Sequence, residues 1–308
     1  PVQEELKFMI YAVIDIGTNS TRLYTAEISQ GVQHALAKEL ETTRLGEGGM
    51  DGILKAEPMA RTVRAVSAFT HKALKLGAQK VFIYATAAVR EAANKEEFAR
   101  LIKSSTGLEL NIISGETEAY IAYLGAAGDR DNRAVIDIGG GSTEVIIKSG
   151  EIRSLSLKLG AVRMMEKWGS GQMGQSKINE AAHYIDGIIR EYEKISPSGA
   201  EELIGVSGTP TTIAGIKLGL NMYQPERIQN LHVTLAEIQA ISIRLCTTAL
   251  EERKQIPGMP PERADVLQYG SLILWRFMAM YGYDQLTISD DDSLKGYIKY
   301  MMIKGGIA

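Results

Sequence analysis

The segment Asp15-Ile-Gly-Thr-Asn-Ser-Thr21 recurs as Asp137-Ile-Gly-Gly-Gly-Ser-Thr143, 122 residues further along (137 minus 15), with five of seven positions identical. Each copy follows a short apolar run that is typical of a β-strand, and each is followed by a second such run, a turn and a third run. A repeat of this kind indicates two copies of one supersecondary unit. We therefore predict two related domains that face each other across a cleft. Chance recurrence of a Gly-Ser turn is the alternative, and the repeated flanking strands argue against it.

Helix and strand patterns alternate between and after the two copies. Apolar residues recur at steps of three and four in 57–76, and 80–86 has the composition of a buried strand. The segments Asn94-Lys-Glu-Glu97 and Thr234-Leu-Ala-Glu237 each resemble a capping box that opens a helix. This alternation predicts an α/β fold with covered sheets. We place the domains at 9–126 and 127–308, with the last helix free to pack back on the first domain.

Composition excludes several classes of protein. The net charge of −3 over 308 residues argues against a surface that coats nucleic acid. The single cysteine, Cys246, excludes an internal disulfide and a thiolate metal cluster, which suits a reducing cytoplasm. The four histidines form no HExxH pair, so a histidine zinc site is not expected. No stretch approaches the roughly 20 apolar residues that a membrane span needs.

The repeated segment suits the binding of phosphate. Glycines let the backbone turn tightly and approach an anion, so that successive N–H groups point at phosphate oxygens. Neighbouring hydroxyl groups add donors, and the aspartate that ends the first strand is placed to hold Mg²⁺. The alternative is a pair of glycine-rich hairpins with capping hydroxyls. The predicted phosphate-binding residues are Gly17, Thr18, Asn19, Ser20 and Thr21 in the first loop and Gly139, Gly140, Gly141, Ser142 and Thr143 in the second.

The whole set of motifs resembles the exopolyphosphatase / guanosine pentaphosphate phosphohydrolase (Ppx/GppA) family. That family belongs to the superfamily of actin, Hsp70 and the sugar kinases, so the resemblance implies two duplicated domains of the ribonuclease H-like type. The matches run in the family's order from about residue 11 to residue 296. They are Asp15-Ile-Gly-Thr-Asn-Ser-Thr-Arg22-Leu, Leu45-Gly-Glu-Gly, Ala85-Thr-Ala-Ala-Val-Arg90, Ser114-Gly-Glu-Thr-Glu118-Ala, Asp137-Ile-Gly-Gly-Gly-Ser-Thr-Glu144, Leu159-Gly-Ala-Val-Arg163, Ser207-Gly-Thr-Pro-Thr-Thr-Ile and Glu262-Arg-Ala-Asp-Val.

In the motif Ser-Gly-x-x-Glu-Ala, the glutamate before alanine is Glu118 of this chain. The resemblance implies that Glu118 is the general base. Phosphoanhydride hydrolysis needs an oriented, partly deprotonated water and positive charge around the transferred group. A glutamate early in a helix otherwise only complements the helix dipole, and the nearby Glu116 is predicted to be solvated. The same matches imply that Arg22 and Arg90 contact phosphate, as guanidinium groups do in bidentate fashion.

Two further groups of residues complete the predicted site. The metal ligands are Asp15, Asp137 and Glu144, and the ion is Mg²⁺, with Mn²⁺ as the other choice. Two roles stay open for Glu144, which either holds metal-bound water or fixes the side chain of Arg22. The matching segment Ser207, Gly208 and Thr209 is assigned to phosphate as well.

Two departures from the family concern the substrate. Tyr120 stands where the family usually has arginine, and Ser289-Asp-Asp-Asp-Ser-Leu-Lys-Gly296 replaces the family's Ser-Asp-Gly-x-Leu-Arg-Glu-Gly. The aspartates at 290–292 add negative charge where an anionic substrate would pass. This charge argues against tight binding of long polyphosphate and leaves room for an altered substrate site.

We predict a phosphoanhydride hydrolase, namely an exopolyphosphatase that releases orthophosphate from the ends of inorganic polyphosphate. Removal of the 5′ γ-phosphate from guanosine pentaphosphate is the nearest alternative. The third interpretation is a kinase of the same superfamily. The fourth is a non-catalytic sensor of polyphosphate or nucleotide. The expected partner is polyphosphate or guanosine pentaphosphate, without nucleic acid or membrane, in the cytoplasm, and a homodimer is kept open.

Overall fold

The computed structural model describes residues 8–18, 20–29, 31–47, 52–191 and 200–305. The chain divides into two compact units: unit 1 is Pro1–Gly125 with Ser293–Ala308, and unit 2 is Ala126–Asp292. Each unit has a mixed β-sheet with helices. The predicted α/β class with a duplicated strand–hairpin–strand unit is therefore confirmed.

Unit 1 is built on five strands in the order β3-β2-β1-β4-β5. The first three form an antiparallel meander, while β4 and β5 run parallel to β1, as strands joined by helical crossovers do. The strands are β1 Met9–Ile16, β2 Thr21–Ser29, β3 Val32–Glu41, β4 Lys80–Ala85 and β5 Leu110–Ile112. The helices between them are α1 Ala56–Lys75, α2 Ala87–Arg90 and α3 Lys95–Thr106, and α4 Gly115–Ala127 follows β5.

Strand β1 is buried on both faces. Successive side chains of a strand point to opposite faces, so the residues of β1 belong to two different core clusters. Ala12, Ile14 and Ile16 lie in a core cluster with residues of α1 and α3. Tyr11 and Val13 lie in a second cluster on the other face. A strand covered on both faces has a continuous apolar sequence, as 10–14 does here.

Unit 2 has six strands in the order β10-β11-β9-β6-β7-β8. Again the first hairpin is antiparallel, and β9 runs parallel to β6. The strands are β6 Arg133–Ile138, β7 Thr143–Ser149, β8 Glu151–Leu157, β9 Glu202–Val206, β10 His232–Thr234 and β11 Gln285–Ile288. The helices are α5 Ala161–Trp168, α6 Gln175–Arg190, α7 Gly208–Leu218, α8 Pro225–Ile228, α9 Leu235–Thr247, α10 Leu250–Arg253 and α11 Leu267–Tyr281, with a 3₁₀ turn at Pro261–Arg263.

The final helix, α12 Ser293–Gly305, belongs to unit 1 although the whole of unit 2 precedes it. Tyr297 stacks on Tyr84 of β4 with ring centroids 4.3 Å apart, and its hydroxyl accepts a 2.8 Å bond from Asn111 Nδ2. Gly296 lets α12 approach α4, because a Cβ there would lie 2.7 Å from the Gly125 nitrogen. Helix α12 therefore covers the sheet face that carries Tyr11 and Val13.

The two predicted capping boxes had different outcomes. Thr234 caps α9 and Glu237 bonds back to the Thr234 N–H, so that prediction is confirmed. Asn94 precedes α3 without a side-chain cap, and that prediction is wrong. The Asn94 amide instead bonds both the N–H and the carbonyl of Leu54, each at 3.0 Å. Asn94 therefore forms two hydrogen bonds with Leu54, which is distant in sequence, instead of capping α3. In the described part of the chain, no helix has the length and apolarity needed to cross a membrane.

Candidate active site

The predicted residues of unit 1 lie in a row along one edge of its sheet. Strands β1, β4 and β5 are parallel neighbours, so their carboxyl ends meet at the same edge. Asp15 lies at the end of β1, Arg90 ends the short helix after β4, and Glu118 lies in the first turn of the helix after β5. Residues that are up to 103 positions apart in sequence (118 minus 15) are thereby brought to one edge.

Asp15 forms an ion pair with Arg22, its direct partner across the β1–β2 pair. Arg22 Nε donates to Asp15 Oδ2 at 3.0 Å, and Arg22 Nη2 bonds the same oxygen and Ser293 Oγ, the latter at 2.9 Å. Asp15 is only 4% exposed. Arg22 therefore balances the charge of Asp15 and occupies its Oδ2 oxygen.

Three of the predicted phosphate-binding hydroxyls lie in the interior. Thr21 and Thr143 are fully buried, and Thr209 is 4% exposed. Thr21 Oγ1 is 3.0 Å from Thr43 Oγ1, and Thr143 Oγ1 donates 2.6 Å to the Leu159 carbonyl. The Thr21 and Thr143 hydroxyls stabilise the loops from within, because each of these residues begins a strand and points to its core side.

The first loop is closed by its own backbone. Gly17 N–H donates 3.0 Å to the Ser20 carbonyl, and the Thr18 carbonyl accepts from Gly46 N–H at 2.9 Å. Gly46 of the matching segment Leu45-Gly-Glu-Gly thus anchors this loop. Asn19 lies outside the described residues.

The second loop forms a pocket of N–H groups. Gly139 N–H donates 2.9 Å to the Ser142 carbonyl, which repeats the turn of the first loop. The Gly139 and Gly140 carbonyls accept the first N–H groups of α5, from Ala161 and Val162, each at 2.9 Å. In a planar trans peptide the N–H points opposite to the carbonyl. The Gly140 and Gly141 N–H groups therefore point away from α5, where an anion can bind them.

Gly160 makes this contact between loop and helix possible. A Cβ on Gly160 would lie 2.5 Å from the carbonyl carbons of Gly140 and Gly141 and nearer still to the Gly140 oxygen. The motif Leu159-Gly-Ala is thus a requirement of close backbone packing behind the anion loop.

Asp137 and Glu144 occupy the same strand positions in unit 2 as Asp15 and Arg22 do in unit 1. Both are partly exposed. Ser207 Oγ donates 2.8 Å to Asp137 Oδ2, while Ser142 and Ser156 donate 2.6 Å and 3.0 Å to Glu144 Oε1. Opposed residues of an antiparallel pair project on the same face. Unit 2 therefore presents two carboxylates where unit 1 presents a carboxylate and a guanidinium.

This carboxylate pair fits a hard divalent cation. Mg²⁺ prefers oxygen ligands and is bound through one or two carboxylates while it keeps several waters. Among the described residues, no three acidic, histidine or cysteine side chains form a group that could hold one metal ion. Asp137 and Glu144 would hold such an ion together with water.

Sequence reasoning missed Arg263. Its guanidinium lies against Gly208 so closely that a Cβ on that glycine would overlap it. Gly208 begins α7, and Ser207 before it has the left-handed φ of 68°, a strained value for serine. The match Glu262-Arg-Ala-Asp-Val was the available signal. Arg263 places positive charge beside Ser207 and Gly208, which were predicted to bind phosphate.

Both departures from the family pattern are packed into the structure. Tyr120 packs edge-on against Tyr300 of α12, with ring centroids 6.1 Å apart. Asp290 accepts a bond from the Tyr223 hydroxyl, and its N–H donates 2.7 Å to Gln229 Oε1. Although 57% of Tyr223 is exposed, desolvation of its hydroxyl and the hydrogen bond to Asp290 raise its pKa well above the usual range. At least this first aspartate of the run is tied to the protein.

Comparison with known proteins gives consistent matches over nearly the whole chain. A sequence profile of the Ppx/GppA phosphatase family matches residues 12–304. Guanosine-5′-triphosphate,3′-diphosphate pyrophosphatase of Photobacterium profundum is 31% identical, with 96% of this chain and 60% of that protein covered. Exopolyphosphatase 2 of Mycobacterium tuberculosis is 28% identical, with 92% of this chain and 96% of that protein covered.

A solved structure shows the same relationship. The type II variant of the Aquifex aeolicus Ppx/GppA phosphatase aligns with a TM-score of 0.88 at 26% identity, covering 96% of this chain and 99% of that one. The chain thus spans about 60% of the length of the Photobacterium relative and nearly all of the other two.

Proposed function

Because the chain belongs to the Ppx/GppA phosphatase family, we propose that it hydrolyses the terminal phosphoanhydride bond of inorganic polyphosphate. The observation that carries this proposal is the pairing of Glu118 with Arg90. A partly exposed carboxylate in the first turn of α4 is held at 2.9 Å by a guanidinium at the sheet edge. Attack of water on a phosphoanhydride requires an oriented base that accepts the water proton, and this pairing holds the Glu118 carboxylate in place.

In the proposed reaction Glu118 accepts a proton from water as the water oxygen bonds to the terminal phosphorus. The bond from that phosphorus to its bridging oxygen breaks, and the shortened chain leaves with the electron pair. Orthophosphate is released, and the proton on Glu118 returns to solvent. The carboxylate acts on water only, so no covalent enzyme intermediate is formed.

Other residues bind and orient the substrate in this proposal. The N–H groups of Gly140 and Gly141 and the hydroxyls of Ser20 and Ser142 donate to phosphate oxygens. Asp137 and Glu144 would hold Mg²⁺, or Mn²⁺ in its place, and the ion would supply positive charge for the transferred phosphoryl group. Asp15 is assigned to orienting Arg22, because the two form an ion pair.

Guanosine pentaphosphate is the second candidate substrate. The 31% identity to a protein named for hydrolysis of a guanosine nucleotide favours it. The Mycobacterium exopolyphosphatase, which the chain matches over 96% of its length, favours polyphosphate. Cytoplasmic location and a homodimer complete the proposal, and light scattering of the purified chain tests the latter.

A phosphate-release panel tests the function. Long polyphosphate, tripolyphosphate, guanosine pentaphosphate and ATP are each supplied with Mg²⁺ or Mn²⁺, with and without an added acceptor. We expect orthophosphate from long polyphosphate without any acceptor. Dependence on an acceptor would indicate a kinase, and binding without turnover would indicate a sensor. Preference for guanosine pentaphosphate would select the second candidate.

A further inference from the structure

Arg90 was predicted to bind phosphate, yet its bonds in the structure are to protein groups. Nη1 donates 3.1 Å to the Ile113 carbonyl and 2.9 Å to Glu118 Oε2. Both contacts use the same nitrogen. The guanidinium thereby joins the end of β5 to the first turn of α4.

The backbone on both sides of this contact is fixed. Arg90 N–H donates 2.9 Å to the Thr86 carbonyl, and the neighbouring Val89 is fully buried. Ile113 N–H donates 3.1 Å to the Ala85 carbonyl, so β5 and β4 stay in register up to this point. Arg90 thus reaches Glu118 from a rigid base, which separates it from an ordinary surface pair of two flexible side chains.

The Glu118 end of the contact is ordered as well. Ser114 Oγ accepts the Thr117 N–H at 3.2 Å, a bond of the N-cap type, and Glu118 N–H donates 2.9 Å to the Ser114 carbonyl. The bond to Arg90 takes Oε2, and among the described residues no donor bonds Oε1. One carboxylate oxygen is therefore fixed by the protein and the other is left to accept a proton.

We propose that Arg90 is a positioning residue, which orients the Glu118 carboxylate through Oε2 so that Oε1 can act as the base. This inference rests on the proposed hydrolysis, and it gives Arg90 a role different from binding phosphate. Misplacement of a catalytic group by about 1 Å lowers a rate by roughly 100-fold. Loss of Arg90 is therefore expressed in kcat, while a lost phosphate contact weakens binding of the substrate and raises KM.

A double-mutant cycle separates the two roles. Arg90→Gln, Glu118→Gln and the double variant are assayed for phosphate release from long polyphosphate. We expect Arg90→Gln to lower kcat by about 10- to 100-fold with KM within about threefold of wild type. In the Glu118→Gln background the same change is expected to alter the remaining rate by less than about threefold, because a residue that acts through Glu118 has nothing left to position.

Two further variants control the cycle. Arg100→Gln removes an exposed arginine of α3 and is expected to behave as wild type. Arg90→Lys keeps the charge without the planar fork, so partial recovery of kcat is expected. It also serves as the working variant if Arg90→Gln does not fold.

An equal loss of activity from Arg90→Gln in both backgrounds, with a KM at least about tenfold higher, would assign Arg90 to phosphate and overturn the inference. That result leaves the proposed function intact, provided that Glu118→Gln alone is impaired. A near-normal rate for Glu118→Gln would instead overturn the base assignment and this inference together.

Discussion

Replacement of Gly160 by alanine tests the loop geometry of unit 2. Gly160 has an extended backbone, with φ −143° and ψ 159°, so alanine meets no conformational penalty there. Its Cβ would be 2.5 Å from two backbone carbons, whereas 3.4 Å is an ordinary contact. The loop and α5 must therefore separate by about 0.9 Å (3.4 minus 2.5).

That separation stretches the bonds from Ala161, Val162 and Arg163 to the loop carbonyls, which are now 2.9–3.0 Å long. With each bond worth about 0.5–1.5 kcal/mol, Gly160→Ala should destabilise unit 2 by about 2–3 kcal/mol. For a domain of this size, Tm should fall by about 4–12 °C. Because the anion-binding N–H groups move with the loop, kcat/KM for phosphate release should fall by about 100-fold.

Thermal denaturation followed by phosphate release at 25 °C measures both effects, since the variant stays folded at that temperature. Gly171→Ala is the matched control, because no atom lies within 4 Å of a Cβ at that position. Should Gly160→Ala keep its Tm within about 1 °C and its kcat/KM unchanged, the close packing of loop and helix has no role in stability or binding.

Three other outcomes are expected. Glu118→Gln should lower turnover by at least about 100-fold. Its Tm should fall by less than about 3 °C, because the pair with Arg90 is partly exposed. Glu116→Gln, at an exposed position, is the control, and normal turnover of Glu118→Gln would exclude Glu118 as the base. Asp137→Asn should raise the Mg²⁺ concentration needed for activity. Asp15→Asn should mainly lower the free energy of unfolding, by about 1–3 kcal/mol. Denaturant unfolding and Mg²⁺ titration of both variants measure these effects, and an equal Mg²⁺ dependence of the two would contradict the assignment of Asp137 to the metal. Burial raises the pKa of the Cys246 thiol to about 12. A maleimide at pH 8 should therefore label Cys246 only after denaturant unfolds the chain. Rapid labelling of the native protein would contradict the burial of Cys246.

Local periodicity was sufficient for the repeated hairpins, but helices α5 and α7 of unit 2 were among those not predicted. Helix α7 is buried over Thr209–Ile216, so it has no polar face to create a helical pattern. Helix α5 has only eight residues, and its start is held by the loop carbonyls through contacts that no local pattern contains. Such helices are specified by tertiary packing, which a single sequence does not display.

The candidate site shows the same division. The residue types and strand ends could be read from the sequence, and the aspartates, arginines and Glu118 do lie at sheet edges. Which hydroxyls face inward could not be read, because Thr21 and Thr143 satisfy both a phosphate motif and a buried strand position. The contact of Arg90 with Glu118 spans 28 residues and depends on the pairing of β4 with β5. Long-range pairing of this kind decides which charges meet.

The late position of α12 in the chain has a consequence for biosynthesis. The ribosome must add 168 residues after Gly125 (293 minus 125) before α12 begins to form. At about 5–20 residues per second, this interval lasts roughly 10–30 s. During it unit 2, which is continuous in sequence, can complete its own core, while the tyrosine-bearing face of the first sheet has α4 but not α12 packed on it. The nascent chain therefore has an open aromatic surface for tens of seconds, and a chaperone that shields such surfaces would act on the N-terminal part of this protein first.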